Sequence, residues 1–442
     1  MKKLLLPLCS LFIMTSMFNN NVSAQIDNLR NLSAEWVRSP ARNAATDATD
    51  IVVYNPAGLT KLKDGLHINL GNQFLFRNPT HEYDLGLGGG PKTFSQGSAD
   101  LFLPNLYAAY KKDNWALFTG VFNAGGGATA DYPHGSITTD LIALQTLKAA
   151  GGAYTATTDQ MLKATSIYLA TTLGGSYAIN DGISVSLAGR YISAKNTDQA
   201  GMTLTASPLH LPDKPLSLDA DYTATGFGGV IGVNITAIEH LDLSVRYETQ
   251  VNLNFKTKVN TDDFGLTQDG ATNRRDLPAV FAFGAAYELN SKLKASADFN
   301  YYFQKNANWG TSSMLTADSP YAALAGNAYV YALAFQYQAT SQVQVSIGTS
   351  FTRYNFSNEA GYYTDLGAFE IVKNNNYSLN TGLAYKINEK VTLNVGYLHV
   401  FYAKDQMIPA LLAYPLNVNV TVNNATNVIA VGADLTFGSN KK

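Results

Sequence analysis

The sequence predicts an all-β protein, an antiparallel transmembrane β-barrel of fourteen strands that follows a strandless N-terminal stretch. Three observations lead there. Segments with strand-like alternation of period two recur from Gly65 to the last residues. The connections between them alternate between short turns and long loops without exception. The chain carries 26 Tyr, 21 Phe and 36 Gly but only 14% charged residues. Such a composition suits a wall with one face toward lipid and the other toward a lumen, rather than an ordinary soluble core.

Residues 1–24 read as a secretory signal peptide. Lys2 and Lys3 form its positive start, Leu4 to Phe18 its apolar core, and Val22-Ser23-Ala24 a small-residue cleavage site that leaves Gln25 first. The apolar run falls short of the roughly 20 residues that a spanning helix needs. Cys9 lies inside this segment, so the mature chain is expected to hold no disulfide, no cysteine-based zinc site and no cysteine nucleophile. Without Lys2 and Lys3, 29 basic residues face 33 acidic ones. Nothing in that balance points to nucleic acid.

Residues 25–63 hold too little apolar surface to stand as a domain of their own. Within them, Arg42 to Leu59 is small, polar and without strand character, and it ends in Asn55-Pro56-Ala57-Gly58-Leu59. Pro56 holds its own φ and biases Asn55 toward extended geometry, and a glycine two residues on completes a turn signal.

The expected strands are 65–77, 99–111, 114–124, 165–179, 182–195, 222–236, 240–256, 277–289, 292–305, 326–339, 342–355, 374–387, 390–404 and 425–437. Each is at least as long as the ~9–11 residues that cross a bilayer at barrel tilt. Val391-Thr392-Leu393-Asn394-Val395-Gly396-Tyr397 shows the pattern most clearly: one face is aliphatic and ends in an aromatic, the other is small or polar. Tyr191, Tyr247, Phe351 and Tyr397 all fall late in their strands, where an interfacial girdle requires them.

The short turns are Lys112-Asp113, Asn180-Asp181, Ala237-Ile238-Glu239, Asn290-Ser291, Thr340-Ser341 and Asn388-Glu389. The long connections are 78–98, 125–164, 196–221, 257–276, 306–325, 356–373 and 405–424. Short periplasmic turns and long external loops are the habit of outer-membrane barrels, so both termini are expected on the periplasmic side. The last strand ends in Phe437, with 438–442 as a tail.

The Asn55-Pro56-Ala57-Gly58-Leu59 run resembles the signature of the FadL-type outer-membrane transporters of long-chain fatty acids and aromatic hydrocarbons. The likeness is specific over 42–62 and topological over the rest of the mature chain. The resemblance implies that 25–63 is a hatch plugging a barrel formed by 64–437. It implies passive diffusion of a hydrophobic molecule across the outer membrane of a Gram-negative-type bacterium, first by way of a groove among the external loops, then through a lumenal pocket above the hatch. It also implies a kink in the third strand that opens the wall. A hydrophobic small molecule and outer-membrane lipid are the expected partners, and a monomer the expected state.

Two external loops offer apolar area for such a groove. Ile137, Leu141, Leu144 and Leu147 recur at helical spacing, and Met202, Leu204, Leu209 and Leu211 lie among prolines. Packing of the loops against each other would use the same residues. Arg190, Arg246, Asp242, Glu248 and Asp298 are expected to face the lumen as an internal ion-pair network, with Arg190 or Arg246 a candidate partner for a substrate carboxylate.

A lateral exit is expected where Pro104 in the second strand comes close to Gly120 and Val121 in the third, because proline removes a ladder donor and glycine tolerates a bulge. No catalytic residue, metal ligand or cofactor is expected. The six histidines show no ligand spacing, and no serine-histidine pairing supports a lipase. The other reading is a general porin or a structural, adhesin-like barrel. A porin would carry a charged constriction and no hatch.

Overall fold

The computed structural model describes residues 33–84, 90–97, 99–311, 320–359, 362, 370, 375–403, 406–408 and 420–438. The signal segment 1–24, the first hatch residues and the tail beyond Gly438 lie outside the described residues.

Among the described residues, fourteen antiparallel staves close into a barrel. They are β1 (Gly65–Arg77), β2 (Asp100–Lys112), β3 (Trp115–Tyr132), β4 (Ala156–Asn180), β5 (Ile183–Thr205) and β6 (Lys214–Ile238). A broken β7 (Leu241–Glu248 and Asn254–Asp262) and a broken β8 (Thr272–Arg274 and Val280–Asn290) follow. The ring continues with β9 (Leu293–Tyr302), β10 (Asn327–Gln338), β11 (Val343–Asn355), β12 (Asn376–Asn388), β13 (Val391–Tyr402) and β14 (Ala425–Phe437). β1 closes it on β14 in one unbroken register, from Leu66 opposite Phe437 to Arg77 opposite Thr426. Closure pairs the first strand with the last, so the sheet has no free end strand, which is what lets strands stand in lipid.

Period two decides which side chain meets which medium. On β11, Ile347 and Phe351 point outward and stay exposed, whereas Ser346 and Ser350 point inward and are buried. Tyr191, Tyr247, Phe351 and Tyr397 all lie on the outer face. The inner face is mixed: Asn69, Asn234, Asn380 and Asn394 are enclosed around the hatch, and Tyr107, Phe118, Phe122, Tyr168 and Ile192 form an apolar patch.

Four of the expected strands are longer than their alternation near the membrane suggested. β3 to β6 run on through 125–132, 156–164, 196–205 and 214–221, read above as loop. The inward residues of that extension, Leu162, Ala164, Ala200 and Ala130, form a small apolar cluster of their own, so the hairpins keep a core above the barrel. The seventh strand, expected to run unbroken over 240–256, is interrupted between Glu248 and Asn254.

Above the long-loop end, short strands Thr80–Tyr83, Lys92–Ser95, Gln406–Ile408 and Val420–Asn423 make a separate four-stranded sheet. It packs with two helices. The first spans Ile137–Ala149, where helical spacing predicts one, and begins at a Ser136/Thr139 capping box; the second spans Tyr321–Ala325.

Inside the barrel lies the hatch. Helix α1 (Ala34–Arg38) starts at Ser33, whose hydroxyl accepts from the Trp36 N–H at 3.1 Å. Helix α2 (Ile51–Tyr54) runs into a 3-10 turn over Pro56–Lys61. Asn55 caps that turn by accepting from the Gly58 N–H at 3.3 Å, with Pro56 at the first helical position, where its missing N–H costs nothing.

Candidate functional site

Hatch side chains fill much of the lumen, hydrogen-bonded to the barrel's inner asparagines and serines on one side and packed, through Ile51, Val52 and Leu59, on the apolar cluster of Tyr107, Phe118 and Phe122 on another. Arg38 donates to Asn394 at 3.1 Å, Gln344 at 2.9 Å and Ser346 at 2.6 Å. Glu35 accepts from Asn69 at 2.8 Å and Asn394 at 2.6 Å. The motif Asn55, Pro56, Ala57 and Gly58 is buried at the same level. Asn55 donates to Asn234 at 2.7 Å, while the carbonyls of Pro56 and Ala57 accept from Ser176 at 2.6 Å and Ser184 at 2.8 Å. Within the hatch, Arg42 holds Asp50 at 2.5 Å and Asp47 at 2.8 Å. Buried polar groups need such partners, and here hatch and wall supply each other's.

One ion cluster joins the hatch to the wall. Arg246 donates from Nε to Glu248 at 2.8 Å, and from Nη1 to the Tyr54 carbonyl of the hatch. Arg190 pairs with the other oxygen of Glu248, donates to Thr172 at 3.0 Å, and lies 5.2 Å from the centre of the Phe122 ring. Both arginines expected as carboxylate partners are therefore engaged by the same glutamate. Beside them a cavity of about 30 Å³ is lined by Ala124, Val230, Val251, Leu277 and Val280 together with Arg190 and Glu248. A larger cavity of about 400 Å³ lies at the short-turn end, among Asp47, His67, Lys390, Asn394 and Asp434.

The wall is incomplete between β2 and β3. Their ladder runs from Lys112 opposite Trp115 to Leu106 opposite Val121 and stops. Residues 100–105 of β2 pair only with β1 among the described residues, and 122–132 of β3 only with β4. The β3–β4 register slips twice, around Asn123 to Gly125 and around Gly126 to Ala128, and Gly126 sits at φ 69°. That is the bend expected of a bulge.

Above the gap the edges rejoin through side chains. Asp100 accepts from the Thr129 N–H at 3.1 Å and hydroxyl at 2.6 Å, and Arg77 donates to the Thr129 carbonyl at 3.0 Å.

The register corrects one expectation. Val121 pairs with Leu106 and Gly120 with Tyr107, while Pro104 lies opposite Asn72 of β1. Pro104 still marks the gap. The Leu103 N–H and the Leu101 carbonyl both bond toward Asn72 on β1. Backbone groups alternate in direction along a strand, so the N–H that proline lacks at 104 is one that would point to β3. Gly120 has a different reason: a Cβ there would stand 2.9 Å from the Tyr107 ring and 3.1 Å from Val52 of the hatch.

The expected loop groove is mostly internal packing. Ile137 and Leu141 are buried against Tyr83, Trp309, Tyr321 and Val420. Met202 and Leu204 are buried on β5, a strand rather than a loop, and Met202 packs on Ile142 of the loop helix. Leu144 and Leu147 are half-buried. Only Leu209 and Leu211 of the eight are exposed, at the tip of the β5–β6 hairpin. The loop layer also encloses His81, whose imidazole burial pushes down to about 4.

No protein-family model matches the sequence, and no curated protein matches it significantly. Solved structures do match the fold. A Pseudomonas aeruginosa FadL homologue aligns with a TM-score of 0.63 at 14% identity, over 92% of this chain and 98% of its own. The toluene transporter TodX of P. putida aligns at 0.60 and 12% identity, over 89% and 95%. The Ralstonia pickettii toluene transporter TbuX aligns at 0.55 and 14% identity, over 88% and 94%. A filled lumen, a third strand with two register slips and this breadth of alignment give the chain the fold of the FadL-type barrels.

Proposed function

We propose that the chain is an outer-membrane transporter through which hydrophobic molecules, long-chain fatty acids or similar lipophiles, diffuse passively and leave sideways between β2 and β3. The observation that carries this reading is a lumen filled by the hatch beside a wall whose ladder stops at Leu106 and Val121. A porin needs an open aqueous lumen, and here polar hatch groups occupy it. The outward apolar face places the barrel in a bilayer, with the short turns in the periplasm. It acts there as a monomer.

Energetics favour a lateral exit. Burial yields about 0.8 kcal/mol per methylene, roughly 10 kcal/mol gross for a long chain. Continuing downward, a hydrophobe would meet the hatch and then a cavity lined by Asp47, Lys390, Asn394 and Asp434, and would lose that gain to water. Turning out at Val121, about six residues above the β2–β3 turn, it reaches lipid near mid-bilayer. Affinity comes from apolar burial, since Arg190 and Arg246 already bind Glu248 and a carboxylate would have to compete with it.

The test is uptake by host cells that lack their own hydrophobe transporter. Expression should speed entry of oleate or of uncharged N-phenylnaphthylamine and leave entry of a small sugar unchanged. Equal acceleration of the sugar would make the barrel a porin, and no acceleration of either would leave it a structural barrel.

A further inference from the structure

A second irregularity of the wall lies between β6 and β7, four strands around the ring from the first. The lower half of β7 pairs with β6 up to Glu248 opposite Val230, and its upper half resumes at Lys256 opposite Thr223. Between them, Ala224-Thr225-Gly226-Phe227-Gly228-Gly229 of β6 faces a strand that has turned away. Val251 exchanges both backbone bonds with Leu277, at 3.0 Å each, instead of with β6. Leu253 donates to the Asp276 carboxylate at 2.9 Å. Inward burial falls on Ser244, Arg246 and Glu248 and then on Val251, Leu253 and Phe255, so one extra residue has entered the strand.

The glycines show how the two strands overlap. Gly226 and Gly228 lie on the inner face of β6, in step with Tyr222, Ala224 and Val230. A Cβ on Gly226 would stand 2.5 Å from the Asn252 carbonyl, and one on Gly228 would stand 2.7 Å from Val251. The seventh strand therefore passes behind the sixth, as a lap joint.

Among the described residues, two hydrogen bonds stitch the joint. The Thr249 N–H donates to the Gly229 carbonyl at 2.9 Å, and the Gly229 N–H donates to the Thr249 hydroxyl at 2.8 Å. The cavity beside Arg190 and Glu248 reaches it, being lined also by Gly228, Gly229, Thr249 and Val251. At about 30 Å³ the cavity has room for little more than a water, and with the stitch in place the joint is shut.

Its height differs from that of the gap at Val121. Gly229 stands nine residues above Ile238, about 23 Å up a tilted strand and near the outer edge of the apolar band. Phe227 and Tyr191 flank it on the outer face, their rings 4.9 Å apart.

We propose that this lap joint is a second lateral port, through which a narrow hydrophobe dissolved in the outer leaflet enters the lumenal cavity from the membrane side. This rests on the transport reading above and adds an entrance to it. The joint parts by breaking the Thr249–Gly229 stitch, while the Val251–Leu277 pair stays on β8. An acyl chain or a slender aromatic then slides past glycines that offer no side chain, onto Val251, Leu277 and Val280.

The test uses the full protein in lipid vesicles, in a background without Cys9. Val251→Cys places a thiol on the inner side of the joint, and N-hexadecylmaleimide confined to the bilayer is the probe. Expected is labelling at least tenfold faster than by a charged maleimide in the water phase. Adding Gly229→Trp should suppress it, because that side chain points outward with its nearest neighbour, the Thr249 methyl, 3.7 Å from its Cβ. Gly229→Trp alone should slow N-phenylnaphthylamine uptake at least threefold, with Gly229→Ser as the small control and heat-modifiable mobility showing an intact barrel. Absent or water-phase-only labelling overturns the port, as does unchanged uptake with Gly229→Trp. Failure of the unaltered protein to carry N-phenylnaphthylamine, with lipid-phase labelling intact, instead strikes the transport reading.

Discussion

Asn55 of the hatch and Asn234 of β6 meet amide to amide at 2.7 Å, both enclosed. The same Asn55 nitrogen donates to the Ala45 carbonyl at 2.9 Å, and its oxygen accepts from Gly58. One side chain thus closes the hatch's last turn, ties it to the hatch's middle and fixes it to the wall. Asn55→Ala removes all three bonds and leaves buried groups unmatched, a loss of about 1–3 kcal/mol for each group so stranded. The barrel should still insert and keep its heat-modifiable mobility. Hydrophobe uptake should change at least threefold and single-channel conductance to small ions should rise. Unaltered conductance would place the plug's hold elsewhere.

Removing residues 25–55 should leave an inserted barrel. The strands close on themselves without the hatch, and many groups exposed by its loss, among them Asn69, Ser244, Asn394 and Asp434, are polar and can meet water, although an apolar patch around Tyr107 and Phe122 is uncovered with them. Conductance in planar bilayers should increase severalfold. Failure to insert would show that the hatch templates the barrel rather than filling it.

Glu248 is the shared partner of two buried guanidiniums, so removing its charge is costlier than removing one arginine. Glu248→Gln should destabilise the protein by about 3–5 kcal/mol, the usual loss when one side of a buried ion pair goes. Arg190→Gln in the same chain should restore part of that, because neighbouring charges are not additive. Thermal unfolding in detergent, followed by loss of heat-modifiable mobility, measures both. Additive losses would contradict the shared cluster.

Pro104→Val supplies an N–H on the side of β2 that faces β3. A ladder bond adds about 0.5–1.5 kcal/mol. Uptake of N-phenylnaphthylamine should slow while thermal stability holds or rises. A companion Gly120→Val, attractive from the pairing expected by turn position, should instead push on Tyr107 and Val52 and loosen the hatch. Faster or unchanged uptake in Pro104→Val would move the exit away from this gap.

Several side chains that matter most to the site carry no mark in the chain order. Val251 and Leu277 both look like ordinary strand residues, and their exchange of bonds follows only once β7 has bent off β6. One signal was present and silent: glycines at inward positions. Gly284 and Gly396 lie where a Cβ would meet the hatch backbone, at 2.5 Å from the Ala44 nitrogen and 2.7 Å from the Arg38 nitrogen. Without knowing which elements cross the lumen, such glycines read as generic barrel residues. Met202 and Leu204 misled in the other direction, since their alternation continues a strand that prolines downstream made resemble a loop.

Strand number, order, closure of β1 on β14 and the side each residue faces were legible because they depend on local alternation and turn length, which are properties of neighbours in sequence. The Asn55-Pro56 turn was legible for the same reason. Where the ladder breaks was only half legible: Pro104 announces a missing donor, but whether β3 stays or leaves depends on Gly126 and on β4 beyond it. The pairing of Arg190 with the glutamate that Arg246 also holds, and the seating of Arg38 on two staves, were decided by the closed barrel. The Arg38 contacts join residues more than 300 positions apart and Arg190 meets Glu248 across 58, so the curvature of the wall, with a hatch filling it, sets the distances at which these buried charges find their partners.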